Sequence, residues 1–304
     1  MISLVIPVYN EEVLVDSLFA RVRESMLSTK ENFEVILVDD GSTDSTLSRL
    51  KNCNQKDSRF KILTLSRNFG HQAAYTAGLT YAKGDYVGMM DGDLQDPPEL
   101  IAEMYEKMRQ SDADIFYGKR TERNEKASKK LLIRIFHFVF RKMSNLENIE
   151  EVGNFSIMSR KALNAFLSLT ERNRYLPGLR AFIGFKQGYV EYSRPDRKDG
   201  EAKMTFSRLF SLAIDAVFSF SNLPVKICLY SGLVGVILII FALIYIIIGK
   251  VTGLAPLGWS STLLSIYFIG SVQLLSIGIL GEYVFRIYKE TQGRPIFIVN
   301  KFIE

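Results

Sequence analysis

Cysteine and histidine are scarce in this 304-residue chain, with two of each. Cys53 and Cys228 offer neither a disulfide framework nor a metal-binding spacing, and His71 and His137 are too few and too far apart for a histidine-based metal site. Trp259 is the single tryptophan. The start, Met1-Ile2-Ser3-Leu4-Val5-Ile6-Pro7, lacks the basic region and small-residue cleavage site of a secretory signal and reads as a first strand. Strong charge of either sign is missing: 38 basic against 33 acidic residues leave +5, too mild a balance to argue for nucleic acid. No internal repeat or low-complexity tract is present.

Charge is also absent from two long stretches, Ile227 to Gly249 and Val251 to Gly281. Each exceeds the roughly 20 residues that cross a bilayer as a helix. Runs such as Gly235-Val236-Ile237-Leu238-Ile239-Ile240-Phe241 are apolar on every face, which predicts two membrane spans and not two buried helices of a soluble protein. Arg286, Lys289, Arg294 and Lys301 follow the second stretch, whereas only Lys250 lies between the two. The positive-inside rule then puts both termini and the region before the spans on the cytoplasmic side of the plasma (inner) membrane, with Trp259 as an anchor at the opposite interface.

Basic residues cluster locally. Between Lys119 and Lys142 nine of them, Arg120 and Lys130 included, face only Glu122 and Glu125. Leu131, Leu132, Ile135, Phe136, Phe138, Val139 and Phe140 recur there at helical spacing, so the segment reads as a basic amphipathic helix lying on anionic headgroups. Leu209, Phe210, Ala213, Val217 and Phe220 give a second interfacial helix. The division expected is a cytoplasmic domain over 1–204, an interfacial helix over 205–224, two spans over 225–282 and a cytoplasmic tail over 283–304.

Within the first region, strand signals at Ser3 to Pro7, Glu34 to Asp39, Lys61 to Leu65, Asp85 to Met90 and Asp114 to Gly118 alternate with helical patterns. The helices expected are Glu11 to Ser28, Thr43 to Gln55, His71 to Tyr81 and Pro98 to Arg109. Such alternation predicts an α/β fold with a mostly parallel sheet, helices on both faces and ligands beyond the strands' carboxyl ends. Three polar turns fall at those ends: Tyr9-Asn10-Glu11-Glu12, Asp39-Asp40-Gly41-Ser42-Thr43-Asp44 and Asp91-Gly92-Asp93-Leu94-Gln95-Asp96-Pro97-Pro98. Two carboxylates one residue apart suit a hard divalent cation, Mg²⁺ or Mn²⁺, that leaves positions open for phosphate oxygens. Ser42, Thr43 and Asp44 also read as a helix cap.

These turns, together with Ile6-Pro7-Val8, Ser66-Arg67-Asn68-Phe69-Gly70-His71-Gln72 and the stretch around Arg294-Pro295, resemble family 2 glycosyltransferases of the GT-A fold. More narrowly, the chain resembles polyprenyl-phosphate glycosyltransferases, a group including bactoprenol glucosyl transferase and dolichol-phosphate mannose synthase. The resemblance implies inverting transfer of a sugar from a nucleotide-diphosphate donor, with uridine the expected base, to a polyisoprenyl phosphate, expected to be undecaprenyl phosphate. Asp91, Asp93 and Gln95 would then hold the metal. Asp39 and Asp40, with Pro7, Tyr9 and Glu11, would shape the nucleotide pocket. Arg194, Arg197 and Lys203 would orient the lipid phosphate, which carries no proton that must leave.

One motif departs from the pattern. Where such relatives often read Gly-Asp-Phe-Arg, this chain has Gly153-Asn154-Phe155-Ser156, and an amide cannot act as a general base. Asn154 is therefore expected to orient donor or acceptor. A catalytically silent nucleotide-sugar-binding membrane partner and a processive polysaccharide synthase are the competing readings. The second usually carries Gln-x-x-Arg-Trp, which does not precede Trp259. His71 reads as a residue that starts or packs a helix. Two spans form a sparse bundle, so a homo-oligomer is expected.

Overall fold

A computed structural model describes residues 1–120, 152–172, 174–192 and 258–304, with isolated positions between 228 and 248. The basic segment beyond Arg120, the interfacial segment 205–224 and Arg194, Arg197 and Lys203 lie outside the described residues. The chain divides into two compact units. One comprises Met1–His137, Leu146–Lys203 and Arg294–Glu304, and the other Phe138–Asn145 and Met204–Gly293.

In the first unit, β1 (Ile2–Val8) and β2 (Phe33–Asp39) are buried along their whole length, as expected for parallel strands covered on both faces. They are joined by α1 (Val15–Ser28), which buries Val15, Leu18, Val22 and Met26 at helical spacing. Each such side chain contributes roughly 1.5–3 kcal/mol. There follow α2 (Thr46–Lys56), β3 (Phe60–Leu65), α3 (His71–Tyr81), β4 (Tyr86–Met89), α4 (Glu99–Arg109) and β5 (Ile115–Arg120). After the gap come β6 (Val152–Ser159), α5 (Arg160–Ser168), α6 (Leu176–Phe182) and β7 (Gln187–Tyr192).

These strands and β8 (Val299–Ile303) form one sheet in the order β7-β5-β6-β4-β1-β2-β3-β8. Strands β4, β1, β2 and β3 are mutually parallel, so their carboxyl ends share one rim. Helix α3 lies close on β1 and β2: a Cβ on Gly78 would come within 2.3 Å of Val5 Cγ1, so only glycine allows that approach.

The segment 283–304 is not simply a tail. Residues 299–303 add an antiparallel edge strand to β3, with Leu63 opposite Phe302. Phe302 packs on Tyr81. Lys61 pairs with both Glu34 and Glu304, and Lys83 also reaches Glu304. Cys53 and Cys228 are both free thiols.

The second unit is described mainly by α7 (Trp259–Thr291). Its Ser265–Thr291 part is long and apolar enough to cross a membrane, by length and composition. Ile266, Tyr267, Phe268, Leu274, Ile277 and Leu280 are all exposed, a surface suited to lipid. The helix starts later than Val251 and runs past Gly281. Arg286 pairs with Glu282 one turn earlier at 2.8 Å, so charged residues continue the helix. The isolated positions between 228 and 248 are helical, but the first expected span as a whole lies outside the described residues.

Candidate active site

Proline 7 shapes the rim from within the sheet. Val5 O accepts from Met90 N, and Val8 O accepts from Asp40 N. Odd-numbered residues of β1 therefore direct their backbone polar groups toward β4, and even-numbered ones toward β2. Pro7 has no N–H to offer β4, and β4 leaves the sheet there, turning into the acidic segment.

That segment is pinned from α3. Tyr75 donates its hydroxyl to Asp91 Oδ1 at 2.7 Å, and His71 Nε2 lies 3.2 Å from the same oxygen. The two rings meet edge-on with centroids 4.8 Å apart. Burial would lower the His71 pKa, but its bond to Asp91 and the charges of Asp91, Asp93 and Asp40 raise it. Burial, then the Asp91 charge and hydrogen bond, push the Tyr75 phenol well above its ordinary value. It remains a donor.

Asp93 Oδ1 accepts from Gln95 N at 3.1 Å, closing a turn in which Leu94 is held at φ 58°. A left-handed leucine is uncommon and strained by roughly 1–3 kcal/mol. Asp96 turns inward and accepts from the Tyr192 hydroxyl at 2.6 Å, so it anchors the turn while Asp91, Asp93 and Gln95 stay half-buried.

The loops after β1 and β2 are tied together. Asn10 N donates to Ser42 Oγ, Thr43 N to Asn10 Oδ1, Glu11 N to Thr46 Oγ1 and Ser45 N to Glu12 Oε2, all within 3.0 Å. Residues 11–14 and 43–45 are thereby kept out of α1 and α2, which begin later than their apolar pattern suggests. Asp44 Oδ1 accepts from Thr46 N at 2.9 Å and serves the helix start. Ser42 and Thr43 do not cap: they bond to Asn10 instead.

Asp39, at the end of β2, is 2% exposed and accepts from Ser42 N at 3.2 Å. Burial raises its pKa, with the Ser42 hydrogen bonds opposing. Asp40 is committed elsewhere: its oxygens accept from Phe69 N at 2.8 Å and Gly70 N at 3.0 Å. It clamps the loop after β3 against the loop after β2. Gly41, at φ 71°, fits beneath that loop, where a Cβ would lie 2.6 Å from Arg67 C. Tyr9 is exposed and Glu11 half-buried beside it.

Pro7, Tyr9, Glu11, Asp39, Asp40, Asp91, Asp93 and Gln95 thus all belong to the carboxyl ends of three neighbouring strands. Asn154 joins them from β6. The antiparallel register that places Met89 opposite Ser156 brings Asp91, past the carboxyl end of β4, and Asn154, near the amino end of β6, to the same edge of the sheet. His71 and Tyr75 were not singled out from the sequence as site residues. Their four-residue spacing on a helix puts them on one face, and that is the signal available.

The donor set fits a hard cation. Asp91, Asp93 and Gln95 offer oxygen only, and among the described residues no group of three His, Cys, Asp or Glu side chains could cage an ion. Mg²⁺ characteristically takes one or two carboxylates and completes its shell with water and substrate phosphate.

Comparison with known proteins agrees with this architecture. Residues 3–167 match the family model described as Glycosyl transferase family 2. The chain is 39% identical over 300 residues to the uncharacterized glycosyltransferase sll0501 of Synechocystis sp., covering 98% of this chain and 94% of that protein. It is 36% identical over 302 residues to the prophage bactoprenol glucosyl transferase homolog of Escherichia coli (strain K12), covering 99% and 98%. Glucosyl-3-phosphoglycerate synthase from Mycobacterium tuberculosis, solved with Mn²⁺, uridine diphosphate and glucosyl-3-phosphoglycerate, shares the fold at TM-score 0.50 and 16% identity, over 73% of this chain and 80% of that one.

Proposed function

The chain belongs to glycosyl transferase family 2, and from that premise we propose that it transfers a sugar from a nucleotide-diphosphate donor to a polyisoprenyl phosphate. Uridine diphosphate is the proposed carrier and undecaprenyl phosphate the proposed acceptor. An acceptor phosphate oxygen bonds to the anomeric carbon as its bond to the donor diphosphate breaks. The nucleoside diphosphate leaves, and configuration inverts. The observation that carries this reading is the 36% identity to a bactoprenol glucosyl transferase homolog over 99% of the chain, which continues far beyond the family model's end at residue 167.

Asp39, Pro7, Tyr9 and Glu11 bind the nucleoside side of the donor. Asp40 positions the 66–70 loop. Asp91, Asp93 and Gln95 would hold Mg²⁺ or Mn²⁺, which when bound neutralises charge on the departing diphosphate. Tyr75 and His71 orient Asp91, and Asn154 contacts the sugar or acceptor phosphate. Arg194, Arg197 and Lys203 bind the acceptor phosphate by charge-assisted hydrogen bonds.

The membrane arrangement belongs to the same proposal. Two spans, over 227–249 and 251–281, hold a homo-oligomer in the plasma membrane, with the catalytic unit and both termini cytoplasmic. The purified full chain, given a panel of nucleotide sugars and undecaprenyl phosphate, should yield one lipid-linked sugar identifiable by mass spectrometry. Hydrolysis of a donor with no lipid product would contradict the acceptor assignment.

A further inference from the structure

Arg180, on α6, is 2% exposed. A buried guanidinium normally has a carboxylate partner, because desolvating an unpaired charge is unfavourable by several kcal/mol. Here the charged or ionisable groups acting on it, among the described residues, are three phenols, Tyr175, Tyr117 and Tyr75. Burial lowers its pKa to about 10, so it is still a cation at neutral pH.

Its donors are used in a specific way. Antiparallel β5 and β6 slip register between Tyr117, opposite Ser156, and Lys119, opposite Val152. Gly118 alone therefore faces Gly153, Asn154 and Phe155, and this bulge takes carbonyls out of the ladder. Arg180 satisfies them. Nη2 donates to Gly153 O at 2.8 Å, and Nη1 to Asn154 O at 3.4 Å and Ser156 Oγ at 2.6 Å. Ser156 Oγ in turn donates to Asn154 O at 2.9 Å. The stapled segment lies on the strand paired with β4, at the end from which Asp91 emerges.

We infer that Arg180 is a positioning residue for phosphate recognition: it fixes the β6 bulge so that Asn154 is presented at the rim, and holds there a positive charge that a substrate phosphate compensates. Both the donor's diphosphate and the lipid's monophosphate have this chemistry. The inference rests on the proposed transfer reaction for its substrates but on the buried guanidinium for its site.

Two neutral variants of the full chain, R180M and R180Q, separate the sources when titrated calorimetrically with uridine diphosphate and with farnesyl phosphate. Affinity for at least one ligand is expected to fall tenfold or more in both. The ligand that weakens identifies the source. Unchanged affinity for both ligands in a folded neutral variant would overturn the inference, because a purely structural arginine would alter melting alone. Should neither variant fold, hydrogen exchange of the wild-type chain decides. Bound ligand is expected to slow exchange at 153–156 and 176–182, and no slowing there rejects the role. Failure of the transfer reading looks different: no lipid-linked sugar forms, while binding still depends on Arg180.

Discussion

The Tyr75 hydroxyl donates to Asp91 Oδ1 at 2.7 Å, so a helix lying across β1 and β2 decides where the first carboxylate of the acidic turn points. Groups that orient a ligating carboxylate typically alter metal affinity or activity by about 10–100-fold when removed. Y75F should therefore raise the metal concentration needed for half-maximal transfer about tenfold, and lower stability by about 1.5–3 kcal/mol, the range for a hydrogen bond to a charged group. Metal titrations of the purified variant, beside its melting curve, check this. An unchanged metal requirement would mean that Asp91 is held adequately without the hydroxyl.

Asp40 bonds the backbone N–H groups of Phe69 and Gly70 and so joins the β2 and β3 loops. Hydrogen bonds to a charged group contribute about 1.5–3 kcal/mol each. D40A is expected to lower unfolding free energy by about 3 kcal/mol in urea titrations, with D40N intermediate because an amide oxygen can still accept one bond. Equal midpoints for wild type and D40A would remove the clamp from the account.

Asp57 sets an acid limit on stability. Hydrogen bonding from Arg59, then its backbone N–H and Arg23, against an opposing effect of burial, brings its pKa from 3.8 to about 2. A carboxylate lowered in the folded state stabilises fully above its unfolded value and loses that contribution as pH falls through the folded one. The window is thus from 3.8 down to about 2, and the contribution is at most about 2 kcal/mol because both arginines are partly exposed. Asp39 and Asp40 run the other way: burial raises them, so acidification relieves them. Melting of wild type and D57N should differ above pH ~4 and converge toward pH ~2; a constant gap would refute the assignment.

The regular part of the sheet was legible because β1 to β4 are short, mostly apolar and separated by helices of one local period. Helix α3 was read with its bounds intact at His71–Tyr81. The starts of α1 and α2 were not, since residues 11–14 and 43–45 form hydrogen bonds between loops more than 30 positions apart. Strand β8 pairs with β3 across more than 230 residues, and no local pattern encodes such a partner. At β6 the bulge breaks the alternation that would have marked a strand. Tyr75 was hidden for another reason: Ala73 to Leu79 are all buried, so that face of α3 looks like core. The acidic turn was legible, whereas the hydrogen bonds aiming it were not.

The most direct test compares wild type and D93N in nanodiscs containing undecaprenyl phosphate, with radiolabelled nucleotide sugar and Mg²⁺ or Mn²⁺. Label is expected in the organic-extractable lipid for wild type, abolished by EDTA. In D93N it should fall by about two orders of magnitude with membrane insertion intact. Equal label from D93N, or label that persists in EDTA, would contradict it.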